Sequence, residues 1–232
     1  MRVLVTRPQP DAAQTAARLA ALGHEAVVEP LLILEPKEIE RAPAGPFAAL
    51  AATSANAMRV AARLKVLDPL RSLPLHAVGT HTADAAREAR FKTVIDAKGD
   101  ADTLAENIVR DVQSPGRVLH LAGEARAKEL GPLLAARGIE VEVLELYRMR
   151  RADHTSAALF GADRIDAVLH FSPQSAATFV VLVERGGLAD VARRARHLCL
   201  SQTVAAELMA IGISAEVAAE PNEAALLALL NS

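Results

Sequence analysis

The sequence predicts an α/β protein of two domains, each a five-stranded parallel sheet with helices on both faces, the pair related by internal duplication. Three observations carry this expectation. Short apolar runs of strand type alternate with helical stretches along the 232 residues, the pattern of parallel sheets buried on both sides. The segment Arg117–Arg148, RVLHLAGEARAKELGPLLAARGIEVEVLELYR, repeats the opening of the chain from Arg2 at an offset of 115 positions. Matches fall at Arg2/Arg117, Val3/Val118, Leu4/Leu119, Ala12/Ala127, Leu19/Leu134, Gly23/Gly138, Glu25/Glu140, Val28/Val143 and Leu31/Leu146. A weaker echo joins the middle of the chain to its last third. An offset of 118 sets Ser54 on Ser172 and Asn56 on Gln174, and one of 122 sets Gly79 on Ser201, Ala83 on Ala205 and Ile95 on Val217.

Taken in order, Val3 to Thr6 reads as a strand that the prolines of RPQPD end. Asp11 is placed to cap a helix from Ala12 to Leu22, which Gly23 stops. Glu25 to Pro30 is the next strand, and Leu32 to Pro46 a polar, Pro-rich crossing. FAALAAT hands over to a helix at Ser54, and LPLHAVG to another after Gly79. TVIDA is a short strand and Asp102 to Val112 a helix. The repeated strand–helix–strand unit ends at Tyr147, and RMRRADH, Arg148 to His154, forms a second crossing. IDAVLHFSPQSAATFVVLV, HLCLSQTVAAELMAIG and SAEVAAEPNEAALLALL then restate the middle of the chain.

Polar or Pro-rich breaks follow each copy of the strand–helix–strand unit, whereas only a tight turn, Gln113 to Gly116, precedes the second copy. The first copy is therefore expected to join the last third. Residues 1–35 with 150–232 would form an outer domain and 36–149 an inner one, crossed twice as a two-stranded hinge. Ligands of such sheets bind at the carboxyl ends of the strands. If the two sheets face each other across the hinge, Thr6–Asp11, Phe171–Ser175, Ser201–Thr203, Thr53–Asn56, Gly79–Thr82 and Ala122–Glu124 would line one cleft.

Composition excludes several classes. One Tyr, five Phe and no Trp argue against stacking on nucleic-acid bases, and a net charge of −2 gives no basic field for phosphates. The seven His do not fall at metal-ligand spacing, so no metal is expected. GxGxxG, GxxxxGK[ST] and GxSxG are absent, and no cofactor is expected either. Cys199, in the apolar run HLCL, reads as a buried small hydrophobe rather than a catalytic thiol. The chain opens on a strand without a charged-then-apolar leader and holds no run long enough to cross a bilayer, which predicts a soluble cytoplasmic protein.

The handover turns offer hydroxyls, amides and free N–H groups, suited to carboxylates or phosphates. Ser54 and Ser172, taken singly, read first as N-caps, and their matching places favour a shared binding role. Thr82, Gln202 and Thr203 carry the same two readings, and Asn56 and Gln174 share those turns. Gly79 and Gly123 are either ligand-facing or simply tight-turn residues. Arg7 fits an anion contact and a solvated position equally. Tyr147, the sole Tyr, ends a strand at the ligand-binding edge. Its alternatives are a satisfied amphipathic edge residue and a functional phenol, and the second is favoured.

VLVTRP, TSANA, AVGTHTADAAR, VLHLAG, VLELYR, FSPQSA and the Pro-Asn-Glu near Asn222 resemble, in order and over essentially the whole chain, the uroporphyrinogen-III synthase family. That resemblance implies two flavodoxin-like domains, the outer one built from both termini. It implies a cofactor-free cyclisation of hydroxymethylbilane, a linear tetrapyrrole with eight carboxylates, to uroporphyrinogen III. Loss of the terminal hydroxyl gives an azafulvene-type cation, and ring D is inverted through a spiro intermediate. The same resemblance makes Tyr147 the candidate to assist loss of the hydroxyl. It makes Thr82, Ser54 and Ser172 substrate-contacting hydroxyls; from the turns themselves Arg7, Asn56, Gly79, Gly123, Gln174, Gln202 and Thr203 join them as candidates for substrate contact, with the hydroxymethylbilane-forming enzyme as a candidate partner. Val204 stands where the family usually has Thr. The alternative class is a non-enzymatic, hinged two-domain binding protein for an acidic small molecule.

Overall fold

The computed structural model describes residues 1–126, 130–152 and 164–231. Contacts divide the chain into two compact units, Met1–Leu34 with Arg150–Ser232, and Glu35–Met149. The repeat match at Ala127 and the end of the second crossing, Asp153 and His154, lie outside the described residues. Among those described, no helix is long and apolar enough to cross a membrane.

The first unit holds β1 (Arg2–Val5), α1 (Asp11–Ala21) and β2 (Glu25–Val28). Its later elements in chain order are β9 (Ala167–His170), a helix (Pro173–Arg185), β10 (Arg196–Cys199), a helix (Gln202–Met209), β11 (Glu216–Val217) and a helix (Glu223–Ala228). Its sheet runs β11-β10-β9-β1-β2, all parallel. Numbered by its own strands this is 2-1-3-4-5, the flavodoxin order. Alternate residues of each strand serve opposite faces. Leu4, Val168 and Cys199 pack with Phe179, Val183, Val204 and Leu208 on one side, while Val3, Val5, Leu169 and Leu198 pack with Leu19, Leu226 and Leu230 on the other. Burial pushes the Cys199 thiol up to about 12, so it behaves as a hydrophobe.

The second unit contains β4 (Ala49–Ala52), α2 (Ala55–Ala61), β5 (Pro74–Ala77), α3 (Thr80–Glu88), β6 (Thr93–Asp96), α4 (Ala101–Asp111), β7 (Gly116–Gly123) and α5 (Leu130–Ala135), followed by β8 (Ile139–Arg151). Strands β8-β7-β4-β5-β6 are parallel neighbours, the same 2-1-3-4-5 arrangement entered at its third strand. Leu104, Ile108, Leu130 and Leu134 from α4 and α5 cover the face bearing Ala49, Ala51 and Val118.

This sheet has six strands rather than the expected five. Leu32–Pro36, expected as the start of a polar crossing, forms β3 beside β8. Lys37 N–H donates to Leu146 O at 2.8 Å and Ala152 N–H to Leu31 O at 2.9 Å, so the two strands run in opposite directions. Leu32-Ile33-Leu34 supplies apolar residues for that pairing before the prolines take over.

The duplication is visible in the register. Arg2 opposes Glu25 as Arg117 opposes Glu140, and the pairing continues in step through Leu4/Val27 and Leu119/Glu142. The same ion pair recurs, Arg2–Glu25 at 3.0 Å and Arg117–Glu140 at 3.4 Å. Gly23 (φ 80) and Gly138 (φ 73) end the two connecting helices in the left-handed region, where a side chain would be strained. Offset 118 also holds in the ladder, Val118–Ala49 answering Val3–Ala167. The last strand departs by one residue: Ile95 opposes His76 while Glu216, not Val217, opposes Leu198. Asp11 is likewise not the cap of α1 but its first residue, behind Pro10, and it pairs with Arg7.

Two buried His of the first unit fix each other. His197 Nε2 meets the Ala192 carbonyl at 2.9 Å, which can only accept, so its Nδ1 accepts from His170 Nε2 at 3.0 Å. Burial, reinforced by the neighbouring ring, holds His170 well below the usual range, and burial lowers His197 too. The unfolded chain therefore binds protons that the folded one refuses, and stability should fall as pH drops below about 6.5 toward the depressed folded values. Denaturant unfolding at pH 7.5 and 5.5 measures this. His170→Phe should lose about 1–3 kcal/mol at pH 7.5, because the donor to His197 is gone, yet show a shallower decline on acidification.

Candidate active site

In the second unit the carboxyl ends of β4 and β7 meet β8 at Tyr147, its last residue paired with β7, and bring three of the sequence-nominated residues together. Strand β8 itself does not end there as expected but runs on to Arg151. Ser54 follows β4 and caps α2, its Oγ accepting Asn56 N–H at 3.2 Å. Tyr147 Oη lies 2.8 Å from that Oγ. Gly123 ends β7 directly opposite Tyr147, across a bulge that leaves Leu146 as the surplus residue of β8. Tyr147 is 8% exposed, a phenol largely withdrawn from water with its hydroxyl held on a helix cap.

Thr82 is buried in the first turn of α3, and Gly79 precedes that helix as its N-cap. Gly79 is extended (φ −166), and a Cβ there would meet nothing closer than Gly99 O at 4.0 Å. A tight turn thus does not explain this glycine, and Ser201 occupies the matching cap of the first unit. Asn56 Oδ1 accepts from Arg59 Nη1 at 2.7 Å, and Arg59 Nη2 stands 3.4 Å from His81 Nε2. Sequence reading passed over Arg59, which looks like one more solvated helix cation; only the packing of α2 on α3 puts its charge beside these turns.

The first unit repeats the frame with different chemistry. Ser172 caps the helix Pro173–Arg185, its Oγ accepting Ser175 N–H at 3.2 Å. Gln174, Gln202 and Thr203 are exposed on first turns of their helices, and they belong to a different sheet from Ser54. Val204, buried, matches Thr82 at the third helical position, whereas Thr203 matches exposed His81. Arg7 is occupied internally. It lies 3.3 Å from Asp11 and 3.4 Å from Glu223, with its guanidinium 4.1 Å above the Phe171 ring. Those carboxylates already neutralise it, so it is poorly placed to be the main cation for an anion. No cluster of three or more metal-ligating side chains occurs among the described residues.

This is a doubly wound α/β protein with hydroxyl-, amide- and phenol-bearing turns at the carboxyl edges of its sheets. The family model of uroporphyrinogen-III synthase HemD matches residues 13–228, and the chain belongs to that family of tetrapyrrole-cyclising enzymes. The fold is similar to a uroporphyrinogen-III synthetase structure from Helicobacter pylori, at 20% identity and a TM-score of 0.71 over 100% of this chain and 99% of that one. A mutant uroporphyrinogen III synthase from Thermus thermophilus is also similar, at 19% identity and TM-score 0.58, covering 100% and 96%. No curated protein sequence matches the chain significantly.

Exposure separates contact from support. Gln202→Ala and Thr203→Ala should change stability by no more than about 0.5 kcal/mol, while Ser172→Ala, which removes a cap, should lose about 1 kcal/mol. Thermal unfolding of the three variants checks both. Activity lost in the first two would then report a missing substrate contact.

Proposed function

We propose that this chain closes hydroxymethylbilane to uroporphyrinogen III with inversion of ring D, and that Tyr147 gives the proton that takes the terminal hydroxyl away as water. The observation that carries this reading is the phenol of Tyr147, the only Tyr in the chain, largely buried and hydrogen-bonded to Ser54 at the carboxyl edge of a parallel sheet. Family membership favours the enzyme over the hinged binding protein.

The substrate closes spontaneously without inversion, so the enzyme's task is to prefer one closure over another by holding the chain curled. Backbone N–H groups and side chains at the first turns suit its carboxylates without pairing each one with a cation. Asn56, Gly79 and Thr82 of one unit and Ser172, Gln174, Gln202 and Thr203 of the other are the proposed contacts, while Ser54 is held to Tyr147. Arg59 adds positive charge beside Asn56. The buried Val204 offers no hydroxyl, so Thr82 supplies that group from one unit only. Because the free substrate closes on its own to the non-inverted isomer, direct hand-over from the hydroxymethylbilane-forming enzyme in the cytoplasm is part of the proposal.

Supplying hydroxymethylbilane and resolving the product isomers by chromatography tests the function. The inverted isomer should dominate; only the non-inverted isomer at the spontaneous rate would overturn it. Tyr147→Phe should lower turnover by up to about 100-fold while remaining folded by circular dichroism. Arg59→Gln should raise KM more than it lowers kcat, as expected of a group that binds carboxylate equally in ground and transition states.

A further inference from the structure

The contact among Ser54, Gly123 and Tyr147 has a geometry that substrate binding does not require. A Cβ on Gly123 would stand 2.6 Å from Tyr147 Oη and 2.8 Å from Cε1, and closer still to Cζ. The phenol therefore fills the space that any other residue's side chain would need. Gly123 itself is buried beneath it. On the other side, Ser54 Oγ spends a lone pair on Asn56 N–H. A hydroxyl has one hydrogen to give, an amide N–H cannot take it, and Tyr147 Oη at 2.8 Å can.

We infer that Gly123 and Ser54 are positioning residues for Tyr147: Gly123 admits the ring against β7, and Ser54 donates its hydroxyl proton to Tyr147 Oη, so that the phenol's own proton is not committed to Ser54. The inference rests on Tyr147 as proton donor. In that step the phenol O–H bond and the substrate C–O bond break and water leaves. Ser54 O–H holds the electron pair left on Tyr147 Oη, which regains a proton as the closing ring sheds one. Gly123 thereby changes from a substrate contact to the floor on which the acid rests, and Ser54 from a substrate contact to its hydrogen-bond donor.

With one Tyr and no Trp, phenolate absorbance of the whole chain reports Tyr147 alone. Ser54→Ala should move its titration midpoint upward by about half a unit to one unit, since a donor that favours the phenolate is lost. Gly123→Ala should displace the ring and remove that dependence, so that adding Ser54→Ala to it moves the midpoint no further. Both variants should lower kcat with little change in KM, and neither should lower it further in a Tyr147→Phe background. An unmoved midpoint in Ser54→Ala, or a Gly123→Ala effect that appears in KM and persists in the Tyr147→Phe background, overturns the inference. If Gly123→Ala fails to fold, the Ser54→Ala midpoint still decides. Full turnover by Tyr147→Phe, with the midpoint still moving in Ser54→Ala, would reject the proton-donor reading and leave the contact standing.

Discussion

Parallel pairing of β7 with β4 and β8 is the constraint on which the candidate site depends. A parallel sheet covered on both faces has only its strand ends open to ligands. Every strand of such a sheet ends on the same side, so residues distant in sequence arrive at one edge together. Ser54 and Tyr147 are 93 positions apart and meet because β4 and β8 both flank β7. Shift the β7–β8 register by one residue and the phenol would turn to the opposite face.

Copying this frame supplied the same edge twice, and the copies have since diverged in chemistry. The second unit carries Thr82, Arg59 and the phenol. The first carries Val204 where Thr82 would be, Ala177 opposite Arg59 at offset 118, and Leu32 opposite Tyr147 at offset 115. What the first unit retains is the cap serine and exposed first-turn polar groups, along with an Arg7 already matched by Asp11 and Glu223. Polar first-turn groups are thus spread over both copies, while the buried phenol belongs to a single copy.

The α/β class, its parallel strands and the repeat could be read from the chain, because strand alternation, helix stops at Gly23 and Gly138 and the Arg–Glu pair are local or periodic signals. The caps at Ser54 and Ser172 were equally legible, since capping is decided by a residue and its next three neighbours. The additional strand β3 was not: Leu32–Pro36 is short, its proline suggests a break, and its partner lies more than a hundred residues away. One residue of slip at Glu216 also escaped, since so short a strand has too little pattern to fix its register. In the site, Arg59 and the reason for Gly123 depend on what faces them across elements, which composition and spacing do not encode. A glycine closing one strand run with a lone Tyr late in the next strand of the same unit was the signal available.

The bulge at Leu146 shows how this site could gain chemistry without disturbing its support. Leu146 stays buried and its carbonyl remains bonded to Lys37, while the residues on either side keep their places opposite Ala122 and Gly123. One inserted residue at the rim re-aims the aromatic ring and leaves the ladder below it intact. Change at such a margin requires no repacking of the interior.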